Sequence, residues 1–130
     1  MNSMAYDVAK LIAEIPDLNL VIGDNLFIDR EPSTPSFCVT VFNTGGPSHG
    51  GTLNNDHFHY GNVQVRVRHL GSARAWIIIE TIMNSLHGRV NFTWSESFYI
   101  FIKCTSNPAL LEWDDNNRIK LIMNLGLQRR

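Results

Sequence analysis

Apolar residues recur at helical spacing from the start of the chain: Met4, Val8, Leu11, Ile12 and Ile15 lie three and four apart, opposite Tyr6, Lys10, Ala13 and Glu14. The spacing predicts an amphipathic helix, with Asn2 or Ser3 available as its cap and Pro16 as its stop. Leu20 to Ile22 and Leu26 to Ile28, separated by Gly23-Asp24-Asn25, read as two short strands or one interrupted strand. Phe37 to Phe42 is apolar on both faces, as expected of a central strand packed on one side and at least partly covered on the other. Residues 44 to 58 carry four glycines and a proline without periodicity and read as one long loop.

The alternation returns at Val63, Val65 and Val67, with Gln64, Arg66 and Arg68 between them, which predicts a strand buried on one face. Gly71-Ser72 then opens a second helix. Its Ala75, Ile78, Ile79, Ile82, Met83 and Leu86 form one stripe, and His87-Gly88 ends it. Trp76 borders that stripe and Ile77 lies nearly opposite it. Phe98 to Cys104 and Arg118 to Gln128 complete the set, the latter with Ile119, Leu121, Met123, Leu125 and Leu127 on one face. Asn107-Pro108 and Asp114 to Asn117 are turn signals, so these strands are expected to pair antiparallel across a wide connection.

The order predicts one domain over residues 1–130 of the α+β class: a mixed or mainly antiparallel sheet of four or more strands, with two helices packed on one face. The chain's 130 residues suit a single core. Hydrophobic residues make up 44% and charged residues 18%, so charge is scarce for an isolated monomer and surface buried against partners is expected. A formal net charge of -1 supplies no general attraction to nucleic acid or membrane. Asp7, Lys10 and Glu14 interrupt the N-terminal apolar positions, which argues against an export signal, and no apolar run approaches the roughly 20 residues of a membrane span. Cys38 and Cys104 read as reduced, buried thiols.

Candidate chemistry is sparse. His57 and His59 fall on the same side of an extended segment, and His49 and Asp56 are the nearest further metal ligands, so a small metal-dependent enzyme using His49, His57 and His59 is one alternative. Adjacent Asp114 and Asp115 do not converge on one substrate atom. No nucleophile elbow or phosphate-binding loop is present. No catalytic residue, metal ligand or cofactor is therefore assigned. Arg66 and Arg68 are expected on the exposed face of one strand, and Arg118 and Lys120 on that of another. They would form a basic stripe if the two strands are neighbours, serving as a solvated face or as inter-subunit ion pairs. Ile77, apolar where an amphipathic helix is normally polar, points to a contact surface together with Trp76. The interface expectation thus comprises His57, His59, Arg66, Arg68, Trp76, Ile77, Arg118 and Lys120.

Taken together, Ile15-Pro16-Asp17-Leu18, Leu26-Phe27-Ile28-Asp29-Arg30-Glu31-Pro32, Cys38-Val39-Thr40-Val41-Phe42-Asn43-Thr44-Gly45-Gly46, Val63 to Arg68, Leu86-His87-Gly88 and Trp113-Asp114-Asp115-Asn116-Asn117-Arg118 form an ordered series over most of the chain. In order and spacing the series resembles the bacteriophage tail terminators of long-tailed phages, a family also called minor capsid proteins. The segment after Gly46 departs from the family in being longer and richer in Asn and His.

The resemblance implies a mixed sheet with two helices, no catalysis, and assembly into a ring, commonly a hexamer. It also implies a place at the head-tail junction of the virion after assembly in the host bacterial cytoplasm. The partners implied are further copies of the chain, the tail tube protein and a neck or head-completion protein, with DNA passing unread through the lumen. A head-closure or other neck protein is the alternative within the same class, and a monomeric ligand-binding domain is a third reading.

Overall fold

The computed structural model describes residues 2–45, 50–51 and 57–130. Helix α1 (Met4–Ala13) begins where the Ser3 hydroxyl accepts the Tyr6 amide, which satisfies one of the amides that the first turn leaves unpaired. Strands β1 (Leu26–Ile28), β2 (Cys38–Gly45), β3 (Gly50–Gly51) and β4 (His57–His69) follow. After helix α2 (Ser72–Leu86) come β5 (Arg89–Trp94), β6 (Ser97–Trp113) and β7 (Ile119–Arg129). Six strands form one sheet in the order β1-β2-β4-β7-β6-β5, and β3 pairs with the start of β4. The β1–β2 pair is parallel and the other pairs are antiparallel, so the sheet is mixed and the fold is α+β, as expected.

Register assembles the core. Val67 lies beside both Val39 and Leu121, and Val65 beside both Val41 and Met123, so the period-2 patterns of three strands share one face. That face is covered by the helices. α1 contacts β1, β2 and β4 and contributes Val8, Leu11 and Ile12, while α2 contacts β4, β7 and β6 and contributes Ala75, Ile78, Ile79, Ile82 and Leu86. Burial of each large side chain stabilises the fold by about 1.5–3 kcal/mol relative to exposure.

Several connections differ from the sequence-based expectation. Leu20–Ile22 is not a strand. The Asn25 side chain accepts from the Val21 amide and donates to the Asn19 carbonyl, closing a turn that leaves Ile22 with only an isolated bridge to Leu26. The expected loop of residues 44–58 is entered by strand from both sides, at Gly45 and from His57, with Gly50–Gly51 paired to His57 and Phe58. Residues 46–49 and 52–56 lie outside the described set.

Strand β5 was not expected. It joins β6 through a two-residue turn in which Ser95 and Glu96 both have positive φ (50° and 68°), a conformation usually signalled by Asn-Gly rather than Ser-Glu. Asn107-Pro108 is not a turn either. Pairing of β6 with β7 shifts register between Ser106 and Ala109, and β5 pairs no further along β6 than Ile102. Pro108 therefore sits at a bulge on a strand whose other edge is unpaired among the described residues, where its missing N–H costs no ladder bond.

Candidate functional site

The antiparallel pairing of β4 with β7 does bring the two expected pairs of cations together, with Arg68 beside Lys120, on the face opposite the helices. That face is not exposed at this end. Residues 29–37, which join β1 to β2, fold across it as a strap, and Arg68 retains only 2% of its surface. The Glu31 carboxylate of the strap lies 3.3 Å from Lys120 Nζ, 3.5 Å from Arg66 Nη1 and 4.0 Å from Arg68 Nη1. Arg68 donates to the Pro35 and Ser36 carbonyls and Arg118 to the Ser33 carbonyl, so the planar donors of both side chains hold strap backbone.

The expectation of an exposed basic stripe is corrected accordingly. Arg68 and Arg118 are buried, and Arg66 and Lys120 are partly covered. Glu112 approaches Lys120 at 3.5 Å and Asp114 pairs with Arg118 at 2.7 Å, so the cations are largely neutralised within the chain. A cluster balanced in this way offers little unpaired positive charge to a phosphate backbone. The Arg66 guanidinium stacks over Phe42, 4.8 Å from the ring centroid, which further fixes it against the sheet. The sequence pattern missed this arrangement because it shows alternation along β4 but not what folds over the polar side.

The β6–β7 hairpin closes beside this cluster. Asp114 Oδ1 accepts the amides of Asn116 and Arg118, and Oδ2 accepts from Arg118 Nε. Desolvation opposes ionisation of Asp114, but these donors prevail and hold its carboxyl below the usual value. A cleft of about 400 Å³ lies here, lined by Glu112, Trp113, Asp114, Asp115, Asn116, Arg118 and Lys120. Both oxygens of Asp114 are occupied by hairpin donors, so the geometry serves the turn rather than a paired-carboxylate reaction.

A second polar cluster, which the sequence reading did not single out, is buried between α1 and the far ends of β6 and β7. Tyr99 donates to Asp7 Oδ2 at 2.5 Å, and Arg129 Nη1 lies 3.3 Å from the same oxygen and 2.8 Å from the Asn2 carbonyl. Trp94 Nε1 donates to the Asp7 carbonyl. Burial, followed by the Asp7 carboxylate, pushes the Tyr99 phenol well above its ordinary range. The available signal was Asp7 itself, a charge three residues after Met4 and four before Leu11 that falls on the inner side of the helix.

His57 and His59 enter β4 opposite Gly51 and Arg129. His49 and Asp56 lie outside the described residues, and among the described residues no group of three His, Cys, Asp or Glu side chains is arranged to hold a metal. Cys38 is buried on β2 and Cys104 is half-buried on β6, so only the first fits the expected buried thiol. They are separated in the sheet by β4 and β7. Burial raises both thiols, which removes the activation a nucleophilic cysteine needs. On α2, Ile77 is 54% exposed, while Trp76 is half-buried against the core. No described helix is long and apolar enough to cross a membrane.

The fold and sequence have relatives among known proteins. One solved chain, from the virion of a native gene transfer agent particle, aligns with a TM-score of 0.72 at 12% identity, covering 98% of this chain and 94% of that chain. A second solved chain aligns with a TM-score of 0.57 at 12% identity, covering 98% and 97%. At such identities the likeness concerns the fold. A comparison with curated proteins gives no match. The family model described as bacteriophage tail terminator protein matches residues 6–129, and the chain therefore belongs to that family of virion structural proteins.

Proposed function

We propose that the chain acts without catalysis or cofactor as a ring, most simply a hexamer, that caps the head-proximal end of the tail tube. In this role it stops tube polymerisation and joins the tail to the neck. The family match across residues 6–129 is the observation that carries this reading. Further copies of the chain, the tail tube protein and a neck protein are its partners, at the head-tail junction of a virion assembled in the bacterial cytoplasm. DNA passes through the lumen unread, a role that suits cations already paired with Glu31, Glu112 and Asp114.

Ile77 and its neighbour Trp76 on α2 are proposed contact positions, with His57 and His59 where β4 begins. Arg66 and Lys120 would contribute through their uncovered edges, and Arg68 and Arg118 by holding the strap in place. Electron microscopy of phage lacking this gene product tests the role. Overlong, headless tails are expected. Tails of normal length beside unattached, filled heads would overturn it in favour of a head-closure or other neck function.

A further inference from the structure

The sheet's two flanks carry apolar side chains that stay exposed among the described residues. On one flank, the Cys104 amide still donates to His87 Nδ1, and beyond Cys104 the strand that pairs with β6 is β7. Among the described residues no strand pairs with its outer edge there, and none of residues 103–113 is buried. This projecting arm bears Leu110 (52% exposed), Leu111 (41%) and Trp113 (51%). On the opposite flank, next to β1, Val21 is 54% exposed and Ile22 39%. Clusters of large apolar residues at such positions mark contact sites more often than isolated ones do.

Both edges are built to refuse a strand. On the arm, Pro108 has no N–H to give, and the register shifts at Ser106/Ala109 and Leu110/Glu112 break the regular repeat of donors and acceptors. At β1, the Leu26 amide already donates to the Val21 carbonyl and the Leu26 carbonyl accepts from Gly23. These features blunt edge-to-edge ladder growth while leaving the side chains apolar. The occupant that matches is therefore a packing surface rather than an added strand. Because one apolar patch lies on each flank of the same sheet, a second copy of this chain can meet the arm with its β1 flank and leave its own arm free for the next.

We infer that Leu110, Leu111 and Trp113 of one copy pack against Val21 and Ile22 of the next, head to tail, by side-chain contact without extending the sheet. The inference rests on the ring reading and specifies its contact. A heterologous contact of this kind closes into a ring when its rotation divides the circle, and blunted edges oppose the open-ended growth that strand pairing would permit.

The test is native mass spectrometry and sedimentation velocity on the full chain and on Leu110→Asp and Ile22→Asp, each shown to be folded by circular dichroism. Both substitutions fall on exposed positions, so folding is expected to survive. The expected result is a wild type that forms species larger than dimers and two variants that are each monomeric. An equimolar mixture of the two variants should give dimers and stop there, since only one intact arm and one intact flank remain in each mixed pair. Variants that assemble like wild type would overturn this contact and leave the ring reading standing. A wild type that stays monomeric at the highest attainable concentration, and that cannot be cross-linked to copies of itself on isolated tails, would overturn both. A wild type that crosslinks on tails only to the tube protein would assign the arm to the tube and overturn the copy-to-copy contact.

Discussion

The Tyr99 hydroxyl donates to Asp7 Oδ2 at 2.5 Å, tying the first helix to the sixth strand across 92 residues of sequence. Arg129 of β7 shares the same carboxylate oxygen, so α1, β6 and β7 meet at one buried charge. Tyr99→Phe is expected to cost about 1–3 kcal/mol, because Asp7 loses a donor where water does not replace it. Burial and the neighbouring carboxylate raise the folded-state phenol, so its stabilisation is fully present below the ordinary tyrosine value of 10 and is lost as the pH rises above it. Urea unfolding of wild type and Tyr99→Phe across that alkaline range checks both points. A difference that stays constant with pH would contradict the second.

Glu31→Gln removes the carboxylate facing Arg66, Arg68 and Lys120 and leaves three cations close together. A destabilisation of about 2 kcal/mol is expected, below the figure for fully buried pairs because Arg66 and Lys120 keep some solvent. Added salt should recover part of the loss by screening the cations from one another. Thermal melts of the variant at low and high salt measure this, and a variant gap insensitive to salt would count against the electrostatic account.

Asp114 is stabilised as the anion by the amides of Asn116 and Arg118 and by the Arg118 guanidinium. Its folded-state carboxyl lies below the ordinary value of 3.8, so its contribution is present above that value and fades as the pH falls through the lower folded-state value. The stability gap between wild type and Asp114→Leu should therefore be full near neutrality and shrink in acid. Denaturation curves at a series of acidic pH values provide the comparison, and a gap that widened in acid would refute the assignment.

Ile77→Ser alters an exposed position on α2 and is expected to change stability by no more than about 0.5 kcal/mol. If Ile77 meets a partner in the assembled tail, complementation of phage lacking the wild-type gene should nevertheless give fewer infectious particles. Normal titre from a stably folded Ile77→Ser protein would remove this residue from the contact surface.

Much of the fold is legible in the sequence because its main strands and both helices carry strong periodicity. The valines of β4 and the aliphatic residues of β7 each repeat every second position, and the stripe of α2 repeats every three or four. β5 escaped because Ser95-Glu96 adopts left-handed turn geometry without the usual residues, and Val90 and Thr93 stay exposed, which weakens the hydrophobic pattern. Pro108 misled for a related reason. A proline interrupts a central strand, but here it falls where pairing on one side has already ended.

What the sequence by itself determined is the list of elements with a repeating buried face, their mixed α+β packing and, through an ordered series of short segments, the family. Periodicity is a local property, and each element's own residues carry it. What only the tertiary structure decided is the fate of the charges. Arg68 and Arg118 alternate like surface residues but lie beneath the strap of residues 29–37, and Asp7 sits in a helix pattern but is held by Tyr99 and Arg129 from the other end of the chain. The burial of a charge is set by groups far away in sequence that supply its partners, and that proximity exists only once the chain has folded.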